Sequence, residues 1–170
     1  MISIDLYRRA VIQNYRGKTL IKDFDKIFNA QNSDNEVSCF YIDRKQTGLL
    51  FLLSEDDYYV TKISKSSVTA DKSGRIKPII CDLCYTRMPG SKIAKVTAVR
   101  KTDSHSFTWL ICNNLDCSLH SREKTTESED SKKILGENIT IDRRIRRLEK
   151  HIKNIVSTLQ LQPLNGGSHE

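Results

Sequence analysis

No apolar run in this 170-residue chain approaches the roughly 18 residues that cross a bilayer, so no membrane span is expected. A basic stretch leading into an apolar core and a small-residue cleavage site is also missing, and the expectation is a soluble, cytoplasmic protein. There is no glycine-rich phosphate loop and no Gly-x-Ser-x-Gly turn, and adjacent carboxylates such as Asp56-Asp57 fall in evident turns. None of His105, His120 or His151 starts the His-x-Glu that zinc deamination needs. These absences make the chain read as a non-enzyme. It shows no internal repeat, and its length suits one compact domain or two small ones sharing an interface. Acidic residues are the scarcer charge, 21 against 28 Lys and Arg, for a net +7. The surplus is spread, with 13 basic and 10 acidic residues in 1–80 and 15 and 11 in 81–170. Such a distribution suits an acidic protein partner, a nucleic acid or simply a solvated surface.

Five cysteines are present, an odd number whose short paired spacings favour metal over a disulfide framework. Cys39 stands alone in an apolar strand pattern and reads as a buried small hydrophobe. The other four form Cys81-x-x-Cys84 and Cys112-x-x-x-x-Cys117, with 27 residues between the pairs. Four thiolates close a tetrahedral zinc site and leave no coordination position for a reacting water, so the expected ion is structural Zn2+. Redox use of Cys81 and Cys84 would fit a strand-to-helix start, whereas Pro89-Gly90 and a strand pattern follow. His120, three residues past Cys117, is a substitute ligand if one cysteine is unused, and otherwise a solvent-facing helix residue.

The fold class expected is α+β: short N-terminal helices with a small antiparallel sheet, then a treble-clef-like zinc finger and a C-terminal amphipathic helix. Ser3 or Asp5 can cap a helix carrying Ile4, Tyr7, Val11 and Tyr15 and stopping at Gly17, and Thr19 to Phe28 reads as a second helix or a packed irregular segment. Strands are expected at Val37–Ile42, Leu49–Leu53 and Tyr58–Ile63, the second apolar throughout and so covered on both faces. Ser64 to Arg75 reads as a polar linker. After Pro89-Gly90, alternation over 92–99 and the run Phe107-Thr-Trp-Leu-Ile predict a hairpin with its tip at 101–106, which returns Cys112 to Cys84. Cys117 is placed to open a helix, and 124–133, charged and without apolar period, reads as a mobile loop. Thr140 caps the clearest helix, with Ile141, Ile145, Leu148, Ile152, Ile155 and Leu159 in one stripe and Arg143, Arg144, Arg146, Arg147, Lys150 and Lys153 on its other faces. Pro163 and Gly166-Gly167 end it. The regions are therefore 1–75, 76–162 and a tail at 163–170.

Cys81-Asp-Leu-Cys84, then Ile111-Cys-Asn-Asn-Leu-Asp-Cys-Ser-Leu-His120 with Arg122 behind it, resembles the C-terminal treble-clef finger of the bacterial elongation-factor-G-binding proteins, the FusB type among them. Ile139 to Leu148 is similar to that family's terminal helix. The resemblance implies zinc on Cys81, Cys84, Cys112 and Cys117 and a finger that contacts elongation factor G. In resistance members that contact helps to release the factor from ribosomes stalled by fusidic acid. The larger helical N-terminal domain of those members is replaced here by two short helical stretches and a three-stranded sheet. Lys95, Arg100, Lys101, Phe107, Trp109 and Arg122 are the candidate partner-binding residues, since basic and aromatic side chains on a metal-pinned hairpin make good anchors. Phe107 and Trp109, two apart on one strand face, equally suit the core of the finger. The alternative function is a basic zinc-finger module that binds rRNA or DNA.

Overall fold

A computed structural model describes residues 9–10, 37–43, 47–54, 56–68, 74, 77–135 and 138–164. In chain order the strands are β1 (Val37–Asp43), β2 (Thr47–Ser54), β3 (Asp57–Ser67), β4 (Ile79–Ile80), β5 (Arg87–Met88), β6 (Ile93–Val99) and β7 (Ser106–Cys112). Helices α1 (Cys117–Ser121), α2 (Thr126–Leu135) and α3 (Ile141–Leu159) follow. The expected helices over 4–17 and 19–28 lie outside the described residues, apart from Arg9 and Ala10, which are helical. The side chain of Cys39 is likewise outside them.

Five strands make one antiparallel sheet in the order β1-β2-β3-β6-β7, and β4 and β5 pair separately. The meander β1-β2-β3 and the hairpin β6-β7 are joined because β3 runs to Ser67 and pairs with β6 from Ile63↔Ala98 to Ser67↔Ala94. Residues 64–67 are therefore strand where the sequence reads as linker. Their polarity has a simple cause: Ser64 and Ser66 lie on an exposed sheet face, and the Lys65 ammonium reaches the Asn113 carbonyl at 3.1 Å. The sheet is thus continuous across residue 75.

Pairing fixes which side chains share a face. Leu50 and Leu52 of β2, Ile63 of β3, and Ala94, Val96 and Ala98 of β6 all turn into one core. On that core lies α3, whose Leu148, Ile152, Ile155 and Leu159 are buried. Each such side chain contributes about 1.5–3 kcal/mol of gross burial free energy, before conformational entropy is counted. Leu49 and Phe51, on the opposite face of β2, are buried as well, as a strand apolar at every position requires.

Three helical features differ from the sequence expectation. Residues 126–135 are helix, not loop: Thr125 Oγ1 accepts from the Ser128 N–H at 3.2 Å, and Ser128 and Ser131 are fully buried. Among the described side chains of this helix the buried ones are these two hydroxyls, which a hydrophobic period does not register. In α3 the buried stripe is Arg144, Leu148, Ile152, Ile155 and Leu159, while Ile141 is 42% exposed. Arg144 takes a core position because its guanidinium pairs with Glu123 at 3.2 Å. Finally, α3 ends before Pro163, at a left-handed Gln160 (φ 53°) whose N–H donates to Ser157 O, while the Leu161 N–H donates to Val156 O. The docked chain then continues to Leu164, whose N–H donates to Tyr58 O at 2.7 Å.

Candidate metal centre

Two turns carry the sulfurs. In the first, between β4 and β5, the Tyr85 N–H donates to Cys81 O and the Cys81 N–H to Thr86 O, both at 3.0 Å, with Tyr85 in the left-handed region at φ 61°. In the second, the Leu115 N–H donates to Cys112 O at 2.9 Å, again with a left-handed φ of 61°, and Cys117 begins α1. Asp82 stitches the first turn to the strand that leads to the second. Its N–H donates to Leu110 O at 2.7 Å, and its carboxylate accepts the Leu110 N–H at 2.6 Å. The hairpin register Ile93↔Cys112 then fixes the height of Cys112 above the sheet.

Cys81 and Cys117 approach to 3.7 Å between sulfurs and Cys84 and Cys112 to 3.6 Å, and all four Sγ atoms lie within 4.8 Å of one another. A tetrahedron of Zn–S bonds of about 2.3 Å has edges of about 3.8 Å, so the arrangement fits zinc. All four cysteines are buried, at most 2% exposed. The family model for the FBP C-terminal treble-clef zinc-finger matches residues 24–159. The chain belongs to this family. No curated protein and no solved structure matches it. The fold is that of an α+β protein with a treble-clef finger, and the protein binds zinc. Among the described residues no helix is long and apolar enough to cross a membrane.

In this FBP-type finger the proton chemistry of the sulfurs favours a cation. The Cys84 thiol is held well below its ordinary range by hydrogen bonds with Cys112, Cys117 and Cys81, against burial, with His120 adding to the effect. Cys117 is pushed well up by Cys112, Cys81 and Cys84, and by burial. One thiolate is thus accommodated by its neighbours, while four together need a dication, which would bind with release of protons. His120 is buried rather than solvent-facing. Its Nδ1 lies 3.3 Å from Cys112 Sγ and 3.7 Å from Cys84 Sγ, where the tautomer protonated at Nδ1 would donate to a thiolate. The cavity beside Cys112 and His120 holds about 140 Å3, below the few hundred typical of small-molecule sites.

The centre is buttressed from two sides. Ser131 Oγ of α2 accepts the Arg87 N–H at 2.8 Å, and Lys92 pairs with Glu127. From α3, the Arg147 guanidinium sits 4.8 Å over the Tyr85 ring, and His151 packs on the same ring at 4.9 Å. Asp82, Tyr85 and Ser131 were not singled out by sequence reasoning, and Arg144, read as lying on a polar face of the C-terminal helix, is buried. The one readable signal was the Cys117-x-x-His120 spacing, which puts both residues on one side of a helical turn.

The six candidate partner residues occupy more than one surface. Phe107 and Trp109 lie opposite Ala98 and Val96, on the core face, stacked with centroids 6.2 Å apart and only partly buried. Arg100 stands 5.2 Å over the Phe107 ring, donates to Thr158 O at 3.2 Å and pairs with Asp103 through two bonds. Lys95 pairs with Leu110 on the opposite sheet face, and Lys101 is exposed at the hairpin tip. Arg122 caps the end of α1 and donates to Ser118 O at 3.1 Å.

Proposed function

We propose that the protein binds elongation factor G and acts in translation as a non-enzymatic binding module, with Cys81, Cys84, Cys112 and Cys117 as the ligands of one structural Zn2+. Family membership over residues 24–159 is the observation that carries this reading. In it, zinc fixes the knuckle, the hairpin and α1 as one rigid unit, and the exposed edges of Phe107 and Trp109, with Arg100, Lys101 and Arg122, anchor the factor. Lys95 on the other sheet face contributes from a wrapped partner segment. A thiolate centre of this kind belongs in a reducing compartment, hence the cytoplasm. The same contact would act in factor release on the ribosome, the role of the fusidic-acid-resistance members. A pull-down with the zinc-loaded protein from nuclease-treated bacterial lysate tests it. Elongation factor G is the expected capture, and recovery of other proteins without it refutes the reading.

A second reading is favoured by one observation. Arg143, Arg146, Lys150 and Lys153 are exposed along the solvent face of α3, at spacings of 3, 4 and 3. A cationic stripe of this kind suits the phosphates of rRNA or DNA. Binding to an rRNA fragment that falls steeply with added salt would support it, whereas a factor complex anchored by aromatic side chains is less sensitive.

A further inference from the structure

β7 is an outer strand of the sheet, and the phase of its hydrogen bonds can be read from its two ends. At the tip the Arg100 N–H donates to His105 O at 2.8 Å, and at the metal end the Asn113 N–H donates to Lys92 O at 2.8 Å. Bonded pairs alternate along an antiparallel ladder. In the register Ile93↔Cys112 to Val99↔Ser106, the backbones of Phe107, Trp109 and Ile111 therefore turn to β6, while those of Ser106, Thr108 and Leu110 turn to the open side. Leu110 agrees with this phase, since Asp82, which is not part of β6, takes both its N–H and its C=O. Among the described residues no bond takes the outward N–H or C=O of Ser106 or Thr108, and both residues are exposed. Sheet edges are ordinarily blunted by charged side chains or proline. Ser106–Cys112 holds neither, and Phe107 and Trp109 are only partly buried along it.

We propose that this edge receives an extended segment of the protein partner as a sixth strand, an inference that rests on the factor binding proposed above and gives its mode. The outward N–H and C=O groups of Ser106 and Thr108 pair with a backbone, which supplies affinity in strand addition while alternate side chains supply choice. The partner residue opposite Phe107 shares a face with Phe107 and Trp109, so an apolar side chain fits there. Its two neighbours meet Ser106 and Thr108 on the other face, which suits Ser or Thr. The tip end favours an acidic residue, because Lys101 is exposed while Asp103 is already engaged by Arg100 and His105. At the other end Asp82 occupies the place beside Leu110 and limits the added strand to about three residues, roughly 10 Å. So short an edge falls far below the roughly 1,200 Å2 that a stable pair of copies needs, and it admits a single extended segment.

The test measures binding of purified elongation factor G to the zinc-loaded full chain, together with amide hydrogen exchange in the complex. The Ser106 and Thr108 amides should exchange freely in the protein alone and become protected in the complex, while those of Phe107 and Trp109, bonded to β6, are protected in both. Contact through side chains alone does not give this alternation. Thr108→Pro removes an N–H that faces outward, where an edge strand tolerates proline, and Thr108→Ala removes the same hydroxyl but keeps the N–H. The proline variant should bind at least about tenfold more weakly than the alanine variant. Zinc content and thermal midpoint check its fold, and the exchange pattern decides the question without it. Equal affinities with the fold retained, or protection gained without alternation, would refute strand addition and leave the factor reading in place. Failure of the unaltered protein to bind the factor would refute both. Dimers of the protein alone with protected Ser106 and Thr108 amides would overturn the proposal in favour of a second copy.

Discussion

Replacing Cys112 by serine should cost the finger its metal and much of its stability. Structural zinc supplies on the order of 10–16 kcal/mol of apparent folding free energy in small fingers, and a variant that no longer holds the ion loses that contribution as a whole. The substitution also replaces the sulfur 3.3 Å from His120 Nδ1 by a hydroxyl, while Cys84 Sγ, 3.7 Å away, remains as that nitrogen's other partner. A loss on the order of 10 kcal/mol is comparable with the roughly 5–15 kcal/mol that a typical domain has in total. At about 2–4 °C per kcal/mol for a chain of this size, a loss of about 10 kcal/mol should lower the thermal midpoint by at least about 20 °C. Metal analysis and thermal unfolding by circular dichroism read the two effects, and hydrogen exchange locates them. Protection should be lost over residues 81–125 first, then at the end of β3, where Ile63 to Ser67 pair with β6. Cys39→Ser is the control, since Cys39 stands alone in the sequence, outside both cysteine pairs. Zinc loss as large in Cys39→Ser as in Cys112→Ser, or one zinc per chain retained by Cys112→Ser, would refute the ligand assignment.

Arg144→Met should destabilise the protein by about 2–4 kcal/mol in urea unfolding, less than the full cost of breaking a buried pair because Glu123 keeps some solvent contact. Adding Glu123→Leu should recover at least half of that loss, and no recovery would show that the pair is not what holds Arg144 in the core. Thr140→Ala, removing the hydroxyl that accepts the Arg143 N–H at 3.4 Å, should cost about 0.5–1 kcal/mol by the same assay. His151 has its imidazole pKa lowered by burial and by Arg147 and Lys150. The unfolded chain therefore takes up the proton first, and stability falls as pH drops from the ordinary histidine range toward the lower folded value. His151→Gln should shallow that fall between pH 7.5 and 5.5, and an unchanged pH profile would count against it.

What could be read from the sequence was whatever repeats with a simple period or spacing. The strands β1 to β3 and the β6-β7 hairpin follow from alternation, and the metal centre follows from two cysteine pairs that a hairpin can return to one place. Elements whose inward side chains are polar were not legible. Among the described side chains of α2 the buried ones are Ser128 and Ser131, which a hydrophobicity pattern does not register, although Ser131 ties the helix to the first knuckle. Arg144 occupies a core position that becomes intelligible only with Glu123, 21 residues earlier, placed beside it. The end of β3 was missed because Ser64 and Ser66 face water while their backbones still pair with β6. His120 shows the same limit at the centre itself: its place in the sequence allowed a ligand or a surface residue, and the fold buries it with Nδ1 beside sulfur.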